Sequence, residues 1–144
     1  MACDRFYGWP MVSDRHLSWQ LLRLLHEECD GPWVCMGDFS EILYTTEMRG
    51  GVRAQWKMNN FRDAVNDYGL RDISFEGLEF TYDNGQADDV NRQCRLDRAM
   101  ANEAWFELFP YAKLEHLLRE WSDHVPIKLH LERDTRARGG RKLF

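Results

Sequence analysis

The sequence predicts a mixed α/β (α+β) fold in which short β-sheets pack against helices. Apolar residues repeat with helical spacing in some segments and with strand spacing in others, and the two kinds of segment interleave along the 144 residues. Hydrophobic residues make up 44% of the chain and aromatic residues 13%, which is enough for one sizeable core. One layered domain is therefore expected, rather than a purely helical or purely β fold.

The first predicted elements are a strand end and a helix. Residues 1–10 are aromatic and break at Gly8, which is typical of a strand that runs into a loop. A helix is predicted to begin at Ser13 or Asp14 and to stop at Gly31. Its packed face is predicted to consist of leucines at helical spacing: Leu17, Leu21, Leu24 and Leu25.

The next segment predicts a buried strand that ends in an acidic residue. Residues 33–36 are wholly apolar, as expected for a strand that is covered on both faces. Gly37 and Asp38 follow directly. The strand is therefore expected to deliver Asp38 to its carboxyl end, where a loop opens.

A second amphipathic helix follows a charged, glycine-containing loop at residues 47–53 and is closed by Gly69. Its apolar face consists of Met58, Phe61, Val65 and Tyr68. Beyond it, residues 102–109 predict a helical turn, and turn-rich loops separate short predicted strands at 70–75, 80–82, 94–100, 113–118 and 127–131. Residues 1–131 are expected to form the domain and residues 132–144 a charged C-terminal tail.

Composition limits the classes of function. The net charge of -5 leaves no basic balance over the whole chain, so any nucleic-acid site must be local. The four cysteines are widely spaced without a CxxC pair, which argues against a zinc knuckle and a disulfide framework. No apolar run reaches the length of about 18 residues that a membrane helix needs. An intracellular protein, nuclear or cytoplasmic, without membrane partners is expected.

Four residues carry the candidate chemistry: Asp38, Asp97, Asp123 and His124. Each aspartate lies at the edge of a predicted strand, so the side chains can converge on one cleft. Carboxylates hold Mg²⁺, and a histidine can handle a proton, which together suit phosphoester hydrolysis. Taken singly, each motif also fits a structural role, because Asp38 can be a turn residue, Arg95 to Arg98 a surface ion-pair ladder, and Ser122 to His124 a capped turn.

The order of several short motifs favours the catalytic alternative. They are Phe6-Tyr7-Gly8-x-Pro10, Gly37-Asp38-Phe39-Ser40-Glu41, Gly69-Leu70-Arg71-Asp72, Phe80-Thr81-Tyr82, Arg95-Leu96-Asp97-Arg98 and Ser122-Asp123-His124-x-Pro126. This series resembles the endonuclease domain of plant LINE-type (non-LTR) retrotransposons, within the endonuclease/exonuclease/phosphatase superfamily. The resemblance runs from about residue 6 to about residue 131.

The resemblance implies a DNase I-like four-layer αββα arrangement, that is, a two-sheet β-sandwich flanked by helices. It also implies Mg²⁺-assisted (or Mn²⁺-assisted) attack of water on a phosphodiester, with nucleic acid, chiefly DNA, as the partner. By motif match, Asp38 orients or deprotonates the water or protonates the leaving oxygen, Asp97 holds the His124 imidazole, and His124 contacts the phosphate. Asp123 would stand at the metal. Tyr7 matches a phosphate-contacting tyrosine of the family. Arg98 and Arg53 are candidate phosphate contacts on their charge alone.

Two departures from the family pattern bear on activity. Ser40 stands where the family usually has Asn, which shortens the reach of a hydrogen-bonding group and removes one donor. The family also places strands, helices, an Asn and a metal-ligating Glu before the Tyr-Gly-x-Pro motif, whereas five residues precede Phe6 here. An N-terminally truncated, partial domain with a weakened metal site is therefore expected.

Three functional alternatives follow. The chain is an active metal-dependent nuclease, a retrotransposon-derived remnant that keeps the fold without catalysis, or a binding module that uses its six tryptophans and basic tail on nucleic acid or protein. Most of the tryptophans lie in apolar segments and are expected in the core, with Trp9 as the exception. An uncovered sheet edge would also favour self-association.

Overall fold

The computed structural model describes residues 1–131, so the predicted tail at 132–144 lies outside the described residues. The described part is mixed α and β, with three α-helices and several small sheets. The elements in chain order are β1 (Ala2–Tyr7), α1 (Arg15–Glu28), β2 (Trp33–Asp38), β3 (Met48–Arg49), α2 (Gln55–Asp67), β4 (Arg71–Asp72), β5 (Phe75–Gly77), β6 (Tyr82–Asp83), β7 (Gln93–Cys94), β8 (Asp97–Ala101), α3 (Glu103–Leu108), β9 (Lys113–His116) and β10 (Ile127–His130).

The central sheet has the strand order β1-β2-β8-β4. Strand β1 runs parallel to β2, and β8 runs antiparallel to both β2 and β4. A parallel neighbour requires a long connection, and α1 supplies it between β1 and β2. Strand β1 lies at the edge of this sheet, and self-association through such an edge stays a prediction.

Both faces of the central sheet are covered, as the apolar sequence of β2 predicts. Trp33 and Cys35 face α1 and α2, where they pack with Phe6, Leu22 and Phe61. The alternate residue Val34 faces the other way, into a second core that the central sheet forms with α3, the outer sheet and the segment after β4: Ala99, Ala101, Trp105, Leu114 and Ile73. The result is a helical layer, the central sheet and an outer sheet of order β10-β9-β5.

The segment at 94–100, predicted as one strand, is two strands in different sheets. Cys94 ends β7, which pairs with β3 and β6, and Asp97 begins β8 of the central sheet. Between them, the amide of Arg95 donates to the Glu47 carbonyl oxygen at 2.9 Å, away from the central sheet. The chain therefore changes sheets at Arg95 and Leu96, which no local sequence pattern indicates.

Some predicted packing positions differ in the structure. Leu24 was predicted on the packed face of α1, but it is 51% exposed, and Leu22 occupies that face instead. Trp33 and Trp105 lie in the cores as expected, whereas Trp56 and Trp121 are exposed, Trp121 to 98%. A search of residues 1–131 identifies no helix whose length and apolar character would let it cross a membrane.

Candidate active site

Terminal residues of three neighbouring strands, the last of β1 and β2 and the first of β8, form one row across the central sheet. Tyr7 is paired with Asp38 across β1 and β2, and Asp38 is paired with Asp97 across β2 and β8. Paired residues on adjacent strands project to the same face. The two carboxylates predicted from sequence therefore lie side by side, with the exposed Tyr7 ring next to them.

Local backbone geometry fixes the position of Asp38. Gly37 has φ of +145°, and a Cβ at this position would overlap the carbonyl oxygen of Phe6 on the neighbouring strand. After the strand ends, the amide of Ser40 donates to Asp38 Oδ1 at 2.7 Å. The Ser40 hydroxyl donates to the Gly8 carbonyl at 3.3 Å and lies 3.4 Å from Asp38 Oδ1. Gly37 and Ser40 thus hold the carboxylate from both sides.

His124 reaches this row from the loop before β10. Its Nδ1 lies 2.7 Å from Asp97 Oδ2, and its Nε2 lies 3.8 Å from Asp38 Oδ2. The hydrogen bond to Asp97, together with the charges of Asp97, Asp38 and Asp123, raises the pKa of His124 above its usual value despite partial burial. The imidazole is therefore oriented by one carboxylate and faces the other.

The two neighbouring carboxylates make the site electrostatically negative. Burial, and then the charge of Asp97, raise the pKa of Asp38 above its usual value, although the Ser40 amide and His124 act in the opposite direction. A carboxyl group whose pKa is raised in this way accepts a proton more readily than an ordinary aspartate. A cation placed between the two carboxylates would also relieve their repulsion.

The donor set fits a divalent cation. One ligand atom each from Asp38, Asp97 and His124 lie within 4.8 Å of one another. Because Nδ1 of His124 is engaged by Asp97, the atoms best suited to Mg²⁺ are the carboxylate oxygens of Asp38 and Asp97, and Mg²⁺ commonly binds one or two protein carboxylates and keeps several waters. Among residues 1–131, Asp38, Asp97 and His124 are the group of acidic and histidine side chains that lie close enough together to hold a metal ion.

Asp123, predicted at the metal, is not part of that group. Its side chain is exposed, and its Oδ1 lies 3.3 Å from the hydroxyl of Ser122. Its backbone carbonyl accepts a hydrogen bond from the Asp83 amide at 2.9 Å, which ties the loop to β6. Asp123 is close enough to influence the pKa of His124, so the structure gives it a role in the loop and in the local charge.

Thr81 and Tyr82 connect the parts of the site, although sequence reasoning gave them no role. The Thr81 side chain is fully buried, and its Oγ1 accepts hydrogen bonds from the amides of Leu96 and Asp97, both at 3.0 Å. Its carbonyl accepts the Val125 amide at 2.8 Å. One residue therefore positions both the start of β8 and the loop that carries His124. The sequence signal that could have identified Thr81 and Tyr82 was that both belong to the Phe80-Thr81-Tyr82 motif.

Tyr82 contacts the histidine directly. Its backbone forms an isolated antiparallel bridge with His124, and the two rings lie 5.3 Å apart between centroids at an angle of 56°. The aromatic ring limits the positions that the imidazole can occupy. Together with Asp97, it places His124 at the end of the sheet.

Arg98, predicted as a phosphate contact, is not available to a substrate. Its side chain is 0% exposed and lies on the helix-covered face of β8, opposite Asp97. The guanidinium group is bound to Glu47 at 3.0 Å and to Asp72 at 3.1 Å. Arg95 joins the same two carboxylates. The expectation for Arg98 is therefore corrected: the two arginines of the motif are structural, because their charges are neutralised inside the protein.

The cleft beside the row offers a different arginine. A cavity of about 670 Å³ is lined by Arg5, Tyr7 and Met36 of the central sheet, by Ile127 of β10, and by Asp38, Asp97 and His124. Arg5 is exposed and lies on the same face of β1 as Tyr7. Arg53 lies elsewhere, with its Nε 3.4 Å from the buried Glu41 carboxylate. Arg5 is therefore the positively charged residue that lines this cleft together with Tyr7. The sequence alone gave no reason to choose it.

Comparison with known proteins identifies the fold and no family. No protein-family model matches the chain, and no curated protein does. Among solved structures, the chain is similar to the crystal structure of beta toxin 275-280 from Staphylococcus aureus, with a TM-score of 0.54 and 13% sequence identity. The match covers 78% of this chain and 42% of the toxin chain, so this chain corresponds to less than half of the toxin's length. The described residues therefore share the mixed α/β fold of that toxin.

Proposed function

We propose that the chain is a metal-assisted phosphodiesterase that cleaves nucleic acid, with the DNase I-like four-layer fold and an origin related to plant LINE-type endonuclease domains. The observation that carries this proposal is the arrangement of Asp38, Asp97 and His124, in which one carboxylate orients the imidazole and the other faces its free nitrogen. A layer of helices, a central sheet and an outer sheet support the fold assignment.

The proposed chemistry divides between the two carboxylates and the histidine. Water attacks phosphorus while Asp38, whose pKa is raised, accepts the water proton. His124, whose pKa is raised chiefly by Asp97, is held in its charged form and donates its Nε2 proton to the leaving oxygen. Asp97 keeps the ring in position throughout. A magnesium ion held chiefly by Asp97 and by water would neutralise negative charge on the phosphate and leave Asp38 free to accept the proton.

Substrate contacts follow from the cleft. Arg5 and Tyr7 lie on the face of β1 that borders the row. A guanidinium group and a phenol can both donate hydrogen bonds to phosphate oxygens. We assign them to the phosphodiester that is cleaved, in place of the buried Arg98.

The test is Mg²⁺-dependent nicking of supercoiled plasmid DNA by the purified full chain. His124→Ala and Asp38→Asn should each lower the nicking rate by about 100-fold or more, because each removes a group that transfers a proton. His130→Ala is the matched control, since His130 also lies 2.8 Å from a carboxylate, Glu115, but outside the row. Equal nicking by the unaltered chain and both site variants would contradict the proposed site, and absence of metal-dependent nicking by the unaltered chain would contradict the activity.

A further inference from the structure

A second cavity has a volume of about 300 Å³ and is lined by residues of three segments, among them Gly51, Arg53, Lys57, Tyr82 and Arg92. Tyr82 connects this cavity with the proposed site, because its ring also contacts the His124 ring.

The charge of this cavity is opposite to that of the whole chain. Its described lining includes the three cationic side chains Arg53, Lys57 and Arg92 and no carboxylate, whereas the chain carries a net charge of -5. Arg53 is partly neutralised by Glu41. The ion pairs found within residues 1–131 include neither Lys57 nor Arg92, so these two retain their charge for a ligand.

Arg92 is held in place without being neutralised. Its NH1 donates to the backbone carbonyls of Asp89 and Asn91, both at 2.8 Å. Its side chain lies against Gly51, where φ is +78° and an added Cβ would overlap the guanidinium nitrogen Nε. Neutral carbonyls and a glycine thus fix the direction of a charged group, which is the arrangement expected of a binding residue rather than of a structural ion pair.

The beginning of α2 adds a second feature that attracts anions. Arg53 lies two residues before this 13-residue helix, and Lys57 lies in its first turn. The N-cap residue Ala54 provides no side-chain acceptor, and the first turn contains no acidic residue. The Lys57 amide is bonded to the Ala54 carbonyl, so the feature that favours an anion near Arg53 and Lys57 is the positive end of the helix dipole. By contrast, Asn102 caps α3 with its own side chain.

We propose that this cavity is an anion subsite that binds a second phosphate of an extended polynucleotide strand, next to the phosphodiester held at the catalytic row. The choice of ligand rests on the proposed function, because a strand has phosphates at regular intervals and a small phosphoester does not. Lys57 and Arg92 contact the phosphate, and Tyr82 offers an aromatic face to the intervening nucleotide.

Binding of a fluorescein-labelled single-stranded DNA oligonucleotide, measured by fluorescence anisotropy in EDTA, tests the subsite without any cleavage. Lys57→Gln/Arg92→Gln should weaken binding by about tenfold and lower the slope of log Kd against log salt by about 0.7 to 1, since both contacts to one phosphate are lost. The matched control is Arg23→Gln/Arg71→Gln, which also removes two positive charges, from surface ion pairs. It should change the Kd by less than about twofold.

Equal weakening by both double variants, or by neither, would overturn the subsite. Competition with inositol hexakisphosphate distinguishes a strand from a compact anion: tight binding of this competitor that depends on Lys57 and Arg92, with no binding of the oligonucleotide, would overturn the strand assignment. Plasmid nicking by the unaltered chain decides the proposed function separately, because the anisotropy measurement requires neither metal nor catalysis.

Discussion

The two faces of strand β8 use neighbouring charged residues in opposite ways. On the cleft face, Asp97 binds the half-exposed His124, and this pair borders a cavity. On the helix-covered face, Arg98 is enclosed with Glu47 and Asp72. Both are ion pairs of similar length, yet His124 of the first borders a cavity, whereas the Arg98 guanidinium group of the second is fully buried. Successive side chains of a strand face opposite sides of the sheet, so the motif Arg95-Leu96-Asp97-Arg98 contributes to two different groups. We refer to Asp97 with His124 as the chemical half, and to the two arginines with Glu47 and Asp72 as the structural half.

The largest expected effect is on the structural half. Arg98→Met should lower the free energy of unfolding by about 3 kcal/mol, because Glu47 and the partly exposed Asp72 would each lose one of their two arginine partners. Urea denaturation measures this loss. Arg5→Met, the same substitution at the exposed arginine of the cleft, should change stability by no more than about 0.5 kcal/mol. If the two variants were equally stable, the buried network would not stabilise the fold.

The next effect is on the chemical half. Asp97→Asn should lower the rate of Mg²⁺-dependent plasmid nicking by about 10- to 100-fold, because His124 loses the carboxylate that orients it. The pKa of His124, followed by NMR, should fall in the same variant, since the hydrogen bond to Asp97 is the largest cause that raises it. Glu115→Gln, which alters the partner of His130, is the control. A pKa of His124 that did not move would contradict the positioning role of Asp97.

Thr81 joins the two halves and should affect both. Thr81→Val leaves the amides of Leu96 and Asp97 without their acceptor, which should cost about 1 to 3 kcal/mol of stability. Nicking should fall as well, because Thr81 Oγ1 holds the amide of Asp97, whose carboxylate orients His124. Thr81→Ser keeps the hydroxyl group and should restore both properties. A serine variant as impaired as the valine variant would show that the methyl group, not the hydroxyl, matters.

The two halves should also respond to pH in opposite directions. Burial by itself raises the pKa of Glu47, but Arg98, Arg95 and the Leu43 amide hold it below the usual 4.5, so the stability it contributes is present above pH 4.5 and is lost as the pH falls through the lowered value. The pKa of His124 is raised above the usual 6.5, so its contribution is complete below pH 6.5 and is lost as the pH rises through the raised value.

Urea denaturation across the pH range measures both losses. Arg98→Met should flatten the acidic limb, and His124→Gln should flatten the limb above pH 6.5. The alkaline limb should be the shallower of the two, because His124 is more exposed than Glu47 and its ion pair is better screened. An alkaline limb that persists in His124→Gln would assign it to another group.

The smallest effect is expected at Ser40. This residue has φ of +57°, in the left-handed region where Asn is favoured over Ser. Ser40→Asn should therefore fit the backbone, and its longer amide adds a donor near Asp38, which should raise nicking by up to about tenfold. Ser40→Ala keeps the backbone bond to Asp38 and serves as the comparison. An asparagine variant no more active than the alanine variant would remove Ser40 from the site.

Much of the layout could be predicted from sequence because it depends on local patterns. The apolar run at 33–36 and the spacing of Met58, Phe61 and Val65 specify a buried strand and an amphipathic helix, since burial requires those periods. Asp38 at the end of β2 followed from the same reasoning. The contact between Asp97 and His124 was implied by the family resemblance alone, because 27 residues separate them in sequence.

Only the tertiary structure decided which charged residues border the cleft and which are enclosed. Arg98 and Asp97 are adjacent in sequence, and their exposure depends on which layer covers each face of β8. Asp123 lies beside His124 but outside the metal group, and its backbone is bonded to Asp83. Lys57 and Arg92 line the same cavity although they are far apart in sequence. Sequence periodicity determines the elements, whereas contacts between residues distant in sequence determine the site.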